Sequence, residues 1–162
     1  MATANKNLSE YDINSVPNAK KMRFAIVVAE WNINITSNLL KGAYDTLIKH
    51  GAQKKNINVK YVPGSFELAV AAQTILEKIE VDAVICLGSV IQGDTKHFDF
   101  VCQATALGIK DVSLMYNTPV IFGVLTDNTL QQAIDRSGGK HGNKGDEAAI
   151  TAIKMVEFQK NI

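Results

Sequence analysis

Cysteine, proline and tryptophan are scarce in this 162-residue chain, which has two, three and one of them respectively. Two cysteines cannot build a disulfide framework, and Cys86 and Cys102 lack the close paired spacing of a zinc site. Each lies in an apolar stretch, VDAVICLG and FDFVCQATA, where a free thiol ordinarily serves as a small core residue; a catalytic Cys86 is the minor alternative. Three prolines and eleven glycines are too few for a collagen-like or low-complexity chain. Charge of one sign is missing too. Lys and Arg number 17 against 16 Asp and Glu, a net +1, so no global field gathers nucleic acid or an anionic membrane surface. No apolar run approaches the roughly 18 residues of a membrane span, and residues 1–18 carry no signal-peptide core. The chain is therefore expected to be soluble and cytoplasmic, with neither nucleic acid nor membrane as partner.

What is present is ordinary globular material, 46% hydrophobic and 20% charged, at a length that predicts one domain. Residues 1–18 read as an N-terminal arm with a few apolar positions (Leu8, Tyr11, Ile13, Val16) ahead of Pro17, and residues 19–162 as an α/β domain. FAIVVA, from Phe24, reads as a strand buried on both faces. A helix follows through Leu39, Leu40, Ala43, Leu47 and Ile48, with Thr36 or Ser37 as N-cap and Gly51 just past its end. INVKYVPG then SFELAVAAQTILEKI make a second strand–helix pair. VDAVICLG is a third strand, followed by the loop SVIQGDTK and a helix over about 97–114. PVIFGVLT is a fourth, with Asp127 or Asn128 capping the helix of Leu130, Ala133 and Ile134. SGGKHGNKG breaks that helix, and a last one runs over about 146–159. Four buried-type strands alternating with helices predict a parallel sheet covered on both faces, a three-layer α/β sandwich.

Ligands of such sheets bind beyond the carboxyl ends of the strands. The first strand ends in AEWNINIT, without glycine, so the G-x-G-x-x-G dinucleotide loop is absent, and GGKHGNKGDE is not a P-loop. Trp31 follows the first strand directly and can stack on a planar ring or anchor a core or interface. Glu67, three residues after Gly64, can instead be a capping-box partner of the helix start. Beyond the third strand, Ser89, Gly93, Asp94, Thr95, Lys96 and His97 surround a helix start whose N–H groups suit an anion. His97 is of the residue type best suited to proton transfer near neutrality, although a lone histidine is more often structural. His50 reads as a favourable charge at a helix end, and His141 is ambiguous. Arg136, Lys140 and Lys144 form a local cationic loop, which either grips a phosphate or pairs with Asp135 and Asp146.

Taken together, VPGSFELAVAA, LGSVIQGDTKHFDFV and PVIFGVLTDNTLQQAIDRSGGKHGNKGDEAA closely resemble the lumazine synthase family over about residues 24–157. The resemblance implies a flavodoxin-like fold and no cofactor or metal. The implied reaction condenses 5-amino-6-(D-ribitylamino)uracil with 3,4-dihydroxy-2-butanone 4-phosphate, giving 6,7-dimethyl-8-ribityllumazine, phosphate and water. Trp31 would stack on the pyrimidine, Ser65, Phe66 and Glu67 would line the ribityl and pyrimidine site, and Ser89, Val90 and Ile91 would hold the ring edge. Asp94 and Thr95 would meet the phosphate, with Arg136 and Lys140 supplying charge, and His97 would move protons. Phe122 would complete the pocket across a subunit boundary. Gln92 stands where many members have Arg, and Trp31 where many have Phe. The resemblance also implies pentamers with shared sites, a sixty-subunit shell favoured by the compact RSGGKHGNKG, an arm that adds to a neighbour's sheet, and riboflavin synthase as a further partner. A non-catalytic flavin- or pterin-binding protein is the alternative from another class.

Overall fold

In the computed structural model, which describes residues 7–162, FAIVVA forms β1 (Phe24–Ala29), buried along its whole length. A strand apolar on both faces needs cover on both. It comes from the elements that follow: α1 (Ile33–Lys49), β2 (Ile57–Val62), α2 (Leu68–Lys78), β3 (Ala83–Ile91), α3 (His97–Met115), β4 (Val120–Asp127), α4 (Leu130–Arg136) and α5 (Lys144–Lys160). The strands pair in parallel in the order β2-β1-β3-β4. The chain steps outward from β1 to β2 and then crosses to the opposite side of β1 for β3. This reversal is the switch point of a flavodoxin-like sheet, where a crevice opens beyond the strand ends.

Successive side chains of β1 point to opposite faces and seed two apolar layers. Phe24, Ile26 and Val28 pack with Leu39 and Leu47 of α1 and with Ala149 and Ile153 of α5. Ala25 and Val27 pack with Leu68 and Ala72 of α2 and Ile109 of α3. Each fully buried Leu, Ile or Phe contributes about 1.5–3 kcal/mol relative to exposure. Helices α1 and α5 meet backbone to backbone: a Cβ on Gly145 would collide with the Leu39 carbonyl oxygen. The two outer strands depart from the expectation of buried strands throughout. Tyr61 on β2 and Phe122 and Thr126 on β4 are exposed, because an edge strand keeps one side uncovered.

Several helix starts also differ from the expectations. Helix α1 begins at Ile33, three residues before Thr36, with Asn32 as N-cap in the left-handed region (φ 59°). Thr36 is buried, and its Oγ1 donates to the Ala29 carbonyl at 2.8 Å, tying the helix to β1 rather than capping it. Gly51, at φ 94°, does stand just past the helix end. Thr129 caps α4 by accepting from the Gln132 N–H, a role expected of Asp127 or Asn128. SGGKHGNKG forms a small antiparallel hairpin, β5 (Ser137–Gly139) and β6 (Gly142–Asn143), after which Asn143 caps α5 two residues earlier than expected.

The described part of the arm, residues 7–18, lies on its own chain and contains no strand. The Leu8 N–H donates to the His141 carbonyl at 2.7 Å, Lys154 Nζ to Ser15 Oγ at 3.0 Å, and Tyr11 OH sits 3.0 Å from His50 Nε2. The first six residues of the expected arm lie outside the described ones. His50 is buried, and burial, then the neighbouring Lys49, lowers its pKa. Burial thus works against its reading as a helix-end charge, and its ring meets Tyr11 of the arm. No helix of the described residues is long and apolar enough to cross a membrane.

Candidate active site

At the switch point between β1 and β3 lies a cleft of about 680 Å³. Four hydrogen bonds, two from the backbone and two from side chains, build it. The Glu30 N–H donates to the Val62 carbonyl at 2.8 Å and the Trp31 N–H to the Pro63 carbonyl at 3.0 Å, which locks the ends of β1 and β2 together. Asn32 Nδ2 donates to the Ser89 carbonyl at 2.9 Å, joining the end of β1 to β3. Thr105 Oγ1 of α3 lies 2.7 Å from the Val101 carbonyl and 3.2 Å from the Ser65 carbonyl, sharing its hydroxyl between its own helix and the turn after β2. Trp31 and Phe66 project from this frame, 73% and 60% exposed, as two flat apolar walls. An exposed Trp is no core anchor, and ring faces of this kind suit a planar ligand.

The cleft floor comes from Ser89, Val90 and Ile91 at the end of β3. Ser89 is 1% exposed, and its Oγ has no partner among the described residues. Such a buried hydroxyl is costly unless something enters to meet it. Glu67 lines the cleft and makes no capping bond, since Ser65–Glu67 is a 3-10 turn and α2 starts only at Leu68. The capping-box reading fails because the N-cap of that turn is Gly64, which has no side chain to take part in a box, and no side-chain capping bond forms. Gly93, Thr95 and His97 form the far rim, with the His97 N–H donating to Thr95 Oγ1 at 3.4 Å. His97 is exposed at the first residue of α3, where helix N–H groups carry partial positive charge.

Nine of the expected site residues thus share this cleft: Trp31, Ser65, Phe66, Glu67, Ser89, Val90, Ile91, Thr95 and His97. Asp94, exposed in the adjoining loop, does not line it, and neither do Phe122, Arg136 and Lys140. Phe122 stands on edge strand β4 over a second cavity of about 350 Å³ shared with Lys144, Glu147 and Thr151. Lys144 Nζ is 2.7 Å from Glu147 Oε1, and its side chain is only 14% exposed. Lys140 follows the alternative reading of a solvated loop: it is exposed and pairs with Asp135 at 3.4 Å. The hydrogen bond from Gln131, ahead of the Lys140 contact, lowers the Asp135 pKa.

Arg136 ends α4, donates from Nη1 to the Gln132 carbonyl at 3.3 Å and lies 3.9 Å from Asp127 Oδ1. Burial pushes the Asp127 carboxyl above its ordinary value, against the pull of Arg136. Burial also pushes the Cys86 thiol up to about 12, which makes it an inert core group rather than a nucleophile. Asn32, Asp127 and Lys144 gain weight only from the structure. The sequence signal for Asn32 was its place between a strand and a helix with no glycine to make the turn.

Fold and cleft define a class, a flavodoxin-like α/β protein offering an aromatic-walled site with a buried serine hydroxyl on its floor at the switch point. The family model for 6,7-dimethyl-8-ribityllumazine synthase matches residues 21–160. The chain is 61% identical to the 6,7-dimethyl-8-ribityllumazine synthase of Parabacteroides distasonis over 158 residues, covering 98% of this chain and 99% of that one. It is 58% identical to that of Phocaeicola vulgatus over 162 residues (100% and 96%) and 58% identical to that of Cytophaga hutchinsonii over 156 (96% and 98%). The chain belongs to the 6,7-dimethyl-8-ribityllumazine synthase family and is an enzyme, a transferase of riboflavin biosynthesis.

Proposed function

We propose that the chain makes 6,7-dimethyl-8-ribityllumazine by condensing 5-amino-6-(D-ribitylamino)uracil with 3,4-dihydroxy-2-butanone 4-phosphate, releasing phosphate and water. The observation that carries this reading is the cleft itself, where flat walls, an unpartnered buried hydroxyl and a helix N-terminus bearing a histidine meet at one switch point. The pyrimidine stacks on Trp31 with its edge toward Ser89, Val90 and Ile91, and the ribityl chain lies toward Ser65, Phe66 and Glu67. The butanone phosphate sits at the N-terminus of α3 beside Asp94 and Thr95, a position favourable to an anion. The amine attacks the ketone, the carbinolamine loses water to an imine, phosphate leaves by β-elimination, and ring closure expels a second water. Each stage relocates a proton, and His97 is the exposed group at the rim able to carry it. Holding two substrates in register is worth on the order of 7–11 kcal/mol at best, so orientation is the larger contribution.

The cationic and aromatic groups of the β4 side, Phe122 and Arg136 with Lys140 of the hairpin and Lys144 at the start of α5, complete the cleft of a neighbouring copy in this reading. Self-association is supported by the outer face of α3, where Phe100, Leu107 and Leu114 recur every seven residues and are exposed, a stripe suited to packing against the same helix of another copy. The assembly is a pentamer, further closed into a sixty-subunit shell, with riboflavin synthase as a partner. Purified protein mixed with both substrates is expected to form lumazine above the uncatalysed background; no increase removes the catalytic reading. Light scattering is expected to give the mass of sixty chains. Five chains at every concentration would remove the shell, and one chain would remove the shared site.

A further inference from the structure

Asp127 closes β4 opposite Ile91 of β3, and its backbone carbonyl accepts from the Gln92 N–H at 2.9 Å. Its side chain is only 7% exposed, yet the carboxylate makes no close hydrogen bond: Oδ1 lies 3.9 Å from Arg136 Nη1, and Oδ2 has no partner among the described residues. A buried carboxylate left in this state costs free energy, so packing alone does not account for it. Arg136 is the other half of the arrangement. Its guanidinium is 38% exposed and is hydrogen-bonded from Nη1 to the Gln132 carbonyl. A bidentate pair with Asp127 would occupy the two parallel N–H groups that a phosphate needs. A single long contact holds the charge in place without consuming them.

We propose that Asp127 is a positioning residue for Arg136, tethering its guanidinium against the Gln132 carbonyl so that the remaining N–H groups stay turned outward for a phosphate. This rests on the reading of Arg136 as the phosphate-gripping residue. A free arginine side chain must give up its rotamer freedom when it grips a ligand, and a prior tether removes part of that cost. The tether acts on the phosphorylated substrate alone, since no residue of the pair lines the aromatic cleft.

The test uses steady-state kinetics on Asp127→Ala, Asp127→Asn, Arg136→Ala and the double variant Asp127→Ala/Arg136→Ala, with inorganic phosphate as a competing probe. Asp127→Ala is expected to raise KM for the phosphorylated butanone and the inhibition constant of phosphate by about 3- to 10-fold. Its kcat and the KM for the pyrimidine stay within about twofold of the parent, because the tether touches neither. Asp127→Asn keeps the shape and an accepting oxygen, so its KM falls between those of the parent and Asp127→Ala. The double variant is no worse than Arg136→Ala alone, because a residue acting through Arg136 has nothing left to position. Additive losses, equal shifts for both substrates, or a phosphate affinity raised by Asp127→Asn would overturn the proposal. If Asp127→Ala does not fold, the isosteric Asn variant carries the same comparison. If Arg136→Ala leaves phosphate use unchanged, the phosphate-gripping reading itself fails. If Arg136→Ala impairs it and neither Asp127 variant does, only the tether fails.

Discussion

The two ends of the sheet's reactive edge are built differently. At β1 and β3 the cleft is braced by hydrogen bonds within the chain, from the Trp31 N–H to the Pro63 carbonyl and from the Asn32 and Thr105 side chains to the Ser89 and Ser65 carbonyls. At β4, Phe122 faces outward from an edge strand and Arg136 hangs on one carbonyl and a long ion pair. The first region is braced within one chain; the second presents its groups to whatever lies beyond it. A parallel sheet can finish a site at its central switch point, because neighbouring strands brace it on both sides. An edge strand has a partner on one side only, so its functional groups are available for sharing.

The largest effect is expected from removing His97, the proposed proton carrier. His97→Ala is expected to slow lumazine formation by about 10²–10⁴-fold while the folded state is retained, since the ring is exposed. A folded variant running at the parental rate would return His97 to the surface. Arg136→Ala comes next. It is expected to weaken use of the phosphorylated butanone by about 1.5–3 kcal/mol, the worth of a hydrogen bond to a charged group, and to spare pyrimidine binding. Equal loss for both ligands would indicate collapse of the hairpin instead. Trp31→Ala is expected to weaken a flat pyrimidine inhibitor by about 1–3 kcal/mol, like other ring–aromatic stacks, with phosphate inhibition unchanged; titration calorimetry reads both.

A sharper version co-expresses Trp31→Ala with Arg136→Ala. If the cleft of one copy meets the β4 side of the next, random mixing rebuilds about a quarter of the sites from two impaired chains. No recovery in confirmed mixed assemblies would place the whole site in one chain. The smallest effect lies away from both regions. Burial lowers the pKa of His50 in the fold, so the unfolded chain takes up its proton first. Stability is therefore full above about pH 6.5 and declines as pH falls through that value toward the lower folded one. His50→Gln is expected to flatten this decline, measured as urea midpoints across pH.

Much of this was legible without coordinates. Short continuous apolar runs and period-3.6 patterns located four strands and their helices, and the strand-end rule pointed to AEWNIN, VPGSFE, GSVIQGDTKHF and LTDN, of which the first three meet in one cleft and LTDN does not. Short-range cues failed where two residues competed for one role. Thr36 resembled a cap but is spent on the Ala29 carbonyl, Glu67 resembled a capping partner but sits in a 3-10 turn, and His50 resembled a helix-end charge but is buried under the arm.

The sequence by itself determined the α/β class, the alternation of strands and helices, and the chemistry carried beyond each strand, because periodicity and residue type are properties of neighbours along the chain. The tertiary structure decided which of those residues share a cleft, and that Lys144 rather than Lys140 sits with Phe122. It also decided that a buried Asp127 stands half-paired beside Arg136. Those outcomes depend on strand order, register and burial, which place residues far apart in the chain within a few ångströms and set the cost of each unpaired polar atom.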